Sequence, residues 1–300
     1  MPSQLQAFVR GTDGNLWLET GPWGNISEMI LHRHQVDGSV SNVFSQVGGD
    51  RIWRPAFQPL SADEVFVLGG DGNLWHETAP FGNVAQVIQN RLPVDASVSQ
   101  FWAVDAETVF VLGTDGNLWL ETGPWGDIPQ MIQNRRQVDG SVAAFQVMDR
   151  DTLFVLGTDG NLWLETGPWG DVDNTIQFRK PVDTNVNDIQ PVDENTLFTL
   201  GHDGNLWLET GPFVSVAQTM QTRRPVGANV MAYTALNADE LYLIDGGQTL
   251  WFVSAPFGPT DWLPVDTSVN SCYPLDSQRL IATRNRAAAN GRRAWDMSPR

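Results

Sequence analysis

Three kinds of side chain recur along this 300-residue chain at fixed distances from one another. A carboxylate stands two residues after a tryptophan at Glu19, Glu77, Glu121, Glu165 and Glu209. An aromatic follows at Trp23, Phe81, Trp125, Trp169 and Phe213, and a guanidinium at Arg33, Arg91, Arg135, Arg179 and Arg223. An aromatic face stacks on the C–H side of a pyranose, a carboxylate accepts hydroxyl protons, and an arginine donates back in a rigid fork. Together they have the chemistry of a shallow site for a neutral sugar. A sixth copy keeps Phe257 but has Val253 in place of the glutamate and Trp262 near the place of the arginine. Joint loss fits a decaying ligand site. It equally fits a decaying structural pair, in which Glu and Arg meet across a sheet and the aromatic covers a sheet edge.

The elements that must position these residues follow from the repeat itself. "LGTDGNLWLETGPWG" occurs at residues 112–126 and again at 156–170, with variants from Arg10, Leu68 and Leu200 and a worn version from Ile244. The repeat tryptophans Trp17, Trp75, Trp119, Trp163, Trp207 and Trp251 are 58 residues apart once and 44 apart four times. One period therefore runs through nearly the whole chain. The extra residues of the first interval, Asn42–Pro55 with Trp53, read as a loop insertion.

Within one unit, Ser141 to Asp149 reads as an apolar strand covered on both faces, and Thr152 to Thr158 as a second. Asp159-Gly160 supplies a two-residue hairpin turn, and Asn161 to Thr166 a third strand with Trp163 and Glu165 on one face. "GPWG" breaks the chain. Thr175 to Asp183 then reads as a fourth, edge strand guarded by Lys180 and Pro181. Four strands in about 44 residues match a propeller blade. The expected fold is all-β: one domain over 1–300, a β-propeller of four-stranded antiparallel blades. Six blades are favoured and seven stay open. The chain starts at a second strand and ends in a degenerate part, 268–300, that aligns with a first and second strand. Closure by strand exchange is expected, with Ser268–Leu275 as innermost strand of the Trp17 blade. The alternative is a degenerate seventh blade, with Trp295 in the place of the repeat tryptophan. The repeat tryptophans themselves read as packing between blades.

Thirty-five acidic against eighteen basic residues give a net charge of −17, which works against nucleic acid and anionic membrane. A single cysteine, Cys272, excludes an internal disulfide and a cysteine zinc site. No apolar run suits a membrane span and no secretory signal is visible, so synthesis in the cytoplasm is expected, with localisation otherwise open. Turn aspartates (Asp13, Asp71, Asp115, Asp159, Asp203) and a second set (Asp37, Asp95, Asp139, Asp183, Asp266) share one end of the strands. They lack a calcium-loop pattern, so turn chemistry explains them better than metal. The four histidines do not repeat as a set, and no nucleophile elbow or phosphate loop appears. Neither catalysis nor a cofactor is expected.

The string "FVRGTDGNLWLE" at Phe8–Glu19, and "FVLGTDGNLWLE" after it, resembles the repeat of bacterial fucose-binding propeller lectins of the Photorhabdus type. His76, in "NLWHET", makes the second copy the most similar. The resemblance covers about the middle half of each unit and implies a propeller that binds glycans in grooves between neighbouring blades. The "W..LGG"-like end of that family's repeat is replaced here by "RRQVDGSV". The resulting expectation is a multivalent carbohydrate-binding protein with sites at the Glu, aromatic and Arg sets; fucosylated glycans are one candidate and an oligomer stays open. The competing expectation is a protein-interaction scaffold.

Overall fold

The structure, a computed structural model, describes residues 6–10, 13–20, 26–41, 56–258, 260–274, 279–284 and 293–296. The expected insertion at 42–55 and Trp23 lie outside these residues. Among them the strands sort into seven antiparallel sheets, five of four strands and two of three. The first sheet holds β1 (Gln6–Arg10), β2 (Leu16–Thr20) and β3 (His34–Asp37). The second holds β4 (Phe57–Ser61), β5 (Glu64–Leu68), β6 (Leu74–Thr78) and β7 (Leu92–Asp95). The third holds β8 (Val98–Asp105), β9 (Thr108–Gly113), β10 (Leu118–Thr122) and β11 (Arg136–Asp139). The fourth holds β12 (Val142–Val147), β13 (Thr152–Gly157), β14 (Leu162–Thr166) and β15 (Lys180–Asp183). The fifth holds β16 (Val186–Asp193), β17 (Thr196–Gly201), β18 (Leu206–Thr210) and β19 (Arg224–Gly227). The sixth holds β20 (Val230–Ala235), β21 (Glu240–Asp245), β22 (Leu250–Ser254) and β23 (Trp262–Asp266). The seventh holds β24 (Val269–Pro274), β25 (Arg279–Arg284) and β26 (Arg293–Asp296).

Each of the first six sheets carries one repeat tryptophan, on β2, β6, β10, β14, β18 and β22. The spare terminal segment is not left single: β24 pairs with β25 from Val269↔Arg284, and β25 with β26, where Trp295 lies opposite Leu280. The segment expected to complete the Trp17 sheet thus opens a sheet of its own, as in the degenerate seventh unit. A strand that has β25 beside it finds its ladder partner nearby in sequence, at low loop-closure cost.

The edge strand expected over Thr175–Asp183 is corrected. Its first part is a helix, and only Lys180–Asp183 is strand. The same short helix precedes the last strand of the first five sheets: α1 (Ile26–His32), α2 (Val84–Asn90), α3 (Ile128–Asn134), α4 (Val172–Phe178) and α5 (Val216–Thr222). Asn83, Asp127 and Ser215 cap these helices by accepting the N–H three residues on, which satisfies a donor that the first turn leaves open. In α2 to α5 one side chain per helix, Val87, Met131, Thr175 and Thr219 in turn, points inward.

The chain forms two compact units, residues 1–144 with 149–151 and 166–178, and residues 145–148 with 152–165 and 179–300. Each builds its core between successive sheets. In the first unit, Phe66 and Leu74 of the second sheet meet Phe101, Val109 and Val111 of the third. Leu16 and Leu18 of the first sheet meet Val65 and Val67 of the second. In the second unit, Phe198, Leu206 and Leu208 of the fifth sheet meet Tyr233, Leu241 and Leu243 of the sixth. Strands covered on both faces lose the apolar–polar alternation, which is why β9 and β13 read as continuous apolar runs.

Candidate functional site

The Asp-Gly turn does more than reverse the chain. Gly14, Gly72, Gly116, Gly160 and Gly204 adopt φ of 75–85°, the left-handed region that glycine enters without steric cost. Their carbonyls accept the N–H of Val40, Val98, Val142, Val186 and Val230 at 2.8–3.1 Å, tying each turn to the start of the following unit. The turn aspartates are spent locally. The Oδ1 atoms of Asp71, Asp115, Asp159 and Asp203 accept the N–H two residues on at 3.0 Å, and their Oδ2 atoms accept from Asn73, Asn117, Asn161 and Asn205. No metal-holding cluster of His, Cys, Asp or Glu occurs among the described residues.

Most of the described loop aromatics are interior groups. Trp125, Trp169 and Phe213 are at most 9% exposed. The Trp125 indole donates to the Ala106 carbonyl at 2.6 Å and the Trp169 indole to the Arg150 carbonyl at 2.9 Å. Each ring also stands edge-on to a phenylalanine of the preceding sheet at 5.9–6.0 Å: Phe81 on Phe8, Trp125 on Phe66, Trp169 on Phe110 and Phe213 on Phe154. The faces of Trp125, Trp169 and Phe213 are closed to a sugar ring, while Phe81 is half-buried. The packing expected of the repeat tryptophans is therefore carried by the loop aromatics. The repeat tryptophans are half-buried, and five of the six lie under a guanidinium: Arg33, Arg91, Arg135, Arg179 and Arg223 sit 3.7–4.0 Å from the ring centres of Trp17, Trp75, Trp119, Trp163 and Trp207.

The glutamates are removed from the surface as well. Glu77, Glu121, Glu165 and Glu209 are 0–1% exposed, whereas Glu19 is partly exposed. Arg91, Arg135, Arg179 and Arg223 bridge inward. Arg91 Nη1 donates to Asp37 Oδ2 at 3.1 Å and lies 3.8 Å from Glu77 Oε1. Arg223 Nη1 donates to Asp183 Oδ2 at 2.9 Å and lies 3.9 Å from Glu209 Oε1, which also accepts the Thr199 hydroxyl at 3.0 Å. Arg135 lies 3.9 Å from Asp95, and Arg179 3.7 Å from Glu165. Burial pushes Glu77, Glu121 and Glu209 up to about 9, and the facing Asp37, Asp95 and Asp183 push in the same direction against the arginines. Three of the Glu–Arg sets expected to hold a sugar, those of Glu77, Glu121 and Glu209, are brought together as buried joints with Asp37, Asp95 and Asp183 of the preceding sheets.

The sixth unit shows how such a joint is replaced. Gly227, Val253 and Trp262 occupy the places of Asp, Glu and Arg. Trp262 stands edge-on to Trp251 at 5.8 Å, and a Cβ on Gly227 would meet the Trp262 ring at 3.0 Å. The tryptophan fills the space that the acid vacates. All polar members have gone together and an apolar joint remains, a swap that buried ion pairs tolerate well.

Open clefts lie at the other end of the sheets, away from the Asp-Gly turns. In the first unit a cleft of about 360 Å³ is lined by Asp105, Glu107, Thr108, Thr122 and Arg150. In the second a cleft of about 920 Å³ is lined by Arg224, Asn237, Asp239, Glu240 and Ser254. Sequence reasoning passed over these residues because their types vary from unit to unit. The available signal was the Asx-type turn joining the first two strands, where Asp105, Asp149, Asp193 and Asn237 each accept the N–H two residues on. It likewise missed Gln58 and Gln190, whose amides both accept from and donate to the backbone of Ala103 and Ala235 on the next sheet.

No family of known proteins and no curated protein matches the chain. Solved structures do. The WD40 β-propeller domain of Doa1 is similar over 94% of this chain and 86% of its own, with 12% identity and a TM-score of 0.52. The computationally designed Ika8 protein is similar over 88% of this chain and 74% of its own, with 11% identity and a TM-score of 0.52. The likeness shows the fold alone: all-β, a β-propeller built of antiparallel blades.

Proposed function

We propose that this propeller is a non-catalytic carbohydrate-binding protein whose sites are the open clefts at the strand ends, not the Glu, Arg and aromatic sets. One observation carries the reading: Asp105, Glu107, Thr108, Thr122 and Arg150 converge on a single open cleft of about 360 Å³. Carboxylates and hydroxyls that accept and donate around a cleft suit a polyol, and the guanidinium adds a planar donor. The hairpin resemblance to fucose-binding propeller lectins points in the same direction. A cleft in each unit makes the binding multivalent, so weak single sites add by avidity.

A glycan array on the full chain tests this, followed by titration of Glu107→Gln and Arg150→Gln. One sugar class should bind at more than one site per chain. Both variants should lose binding at one site while keeping the wild-type melting temperature, because neither residue serves a sheet joint. Silence across the array sinks the sugar reading.

A protein-interaction scaffold is the second reading, and a separate observation favours it. Ile88, Ile132, Ile176 and Met220 occupy the same position of α2, α3, α4 and α5 and are 43–47% exposed. An apolar residue presented once per unit suits a partner that contacts several units at once.

A further inference from the structure

We propose that the buried Glu–Asp pairs joining neighbouring sheets are proton-held latches, closed while each pair keeps one proton and loosened when it leaves. The geometry supplies two carboxyl groups and one guanidinium per joint. Glu77 of β6 faces Asp37 at the end of β3, and Arg91 after α2. Glu121 of β10 faces Asp95 of β7 and Arg135 after α3. Glu209 of β18 faces Asp183 of β15, Arg223 after α5 and the Thr199 hydroxyl of β17, with Tyr233 of β20 and Asp188 of β16 in the same electrostatic neighbourhood.

The aspartate side of each pair is well supplied with donors. Asp37 Oδ1 accepts the Gly38 and Ser39 N–H groups, Asp95 Oδ1 that of Ala96 and Asp183 Oδ1 that of Thr184, while Oδ2 of Asp37 and Asp183 takes the arginine. Among buried oxygens with no donor from the protein are both of Glu77 and Oε2 of Glu121 and Glu209. A proton on the glutamate turns the repulsion between the two carboxyl groups into a hydrogen bond and leaves the joint neutral. Without it two negative charges share one guanidinium away from water. The Gly227, Val253 and Trp262 joint is the same junction with no latch.

The direction of the pH effect follows. Below the ordinary glutamate value of 4.5 both folded and unfolded chains hold the proton, and the joints carry no penalty. Between 4.5 and about 9 only the folded chain holds it, so stability falls as pH rises and levels off above about 9. Ordinary surface carboxylates are already ionised above about pH 7 and add no slope there.

Thermal melting of the full chain between about pH 7 and pH 9 tests the latch, comparing wild type with a variant carrying Glu77→Gln, Glu121→Gln and Glu209→Gln. The melting temperature of the wild type should fall across this range, and the variant, which keeps the hydrogen but cannot lose it, should show a flatter profile. A wild-type profile that is flat or rising, or a variant with an unchanged slope, overturns the proposal. Infrared spectroscopy of the folded wild type at pH 7 gives a reading that survives if the variant does not fold: a protonated-carboxyl band supports the latch and its absence refutes it.

Discussion

Trp125 is the residue at which a ligand role and a structural role diverge most sharply. Its ring is edge-on to Phe66 of the preceding sheet and its indole N–H is consumed by Ala106 O. Trp125→Ala leaves a cavity and takes the indole donor from the Ala106 carbonyl, and should cost about 3–5 kcal/mol, measured by denaturant unfolding. Sugar binding at the cleft lined by Asp105 and Glu107 should survive in whatever fraction stays folded. The recurrence of Glu121, Trp125 and Arg135 was legible in the sequence, but its cause was not. A ligand site repeated by every blade and a joint repeated between every pair of blades leave the same periodic trace, and burial has no one-dimensional signature. The joint loss at Val253 and Trp262 was the informative clue; adding Gly227 to that set separates the readings, because the aspartate belongs to the neighbouring sheet.

At the scale of elements, hairpins were legible and helices were not. Asp-Gly between two apolar runs permits one common reading, a tight turn with positive φ, and β13–β14 and its counterparts follow it. The helices are seven residues long, too short for two full periods to show, and "TIQF" fits either a strand or a helical turn. What marks them is the cap: Asp127, with Pro129 in the first turn of α3, is a helix start. Asp127→Ala should cost about 1 kcal/mol. Two glycines of the same unit should respond differently to alanine. Gly116, at φ +80°, sits in the turn whose carbonyl holds Val142, and Gly116→Ala should cost about 1–2 kcal/mol. A Cβ on Gly123 meets the Trp125 ring at an ordinary 3.5 Å, and Ala79 and Ala255 occupy the equivalent places, so Gly123→Ala should be nearly neutral. Equal losses for the two in parallel denaturant titrations would contradict the turn assignment.

At the scale of the molecule, the near-identity of the units follows from the joints. Each sheet must present one face to the unit before it and the complementary face to the unit after it, so a change in one unit needs an answering change in its neighbour. The sixth sheet, where Gly227, Val253 and Trp262 changed together, is also where the chain hands over to the seventh. There Tyr242, Ile244 and Leu250 are at most 1% exposed and pack with Val269 of β24. Their burial therefore depends on the terminal segment. Ending the chain after Asp266 would strip β24 to β26 and expose these three side chains, at about 1.5–3 kcal/mol each for full exposure. The truncated chain should melt several degrees lower and bind a hydrophobic dye that the full chain ignores. Adding Tyr242→Ser to it should cost far less than the same change in the full chain, because the ring would already face water. An unchanged melting temperature after truncation would mean that β24 does not cover the sixth sheet, and the degenerate seventh unit would lose its structural role.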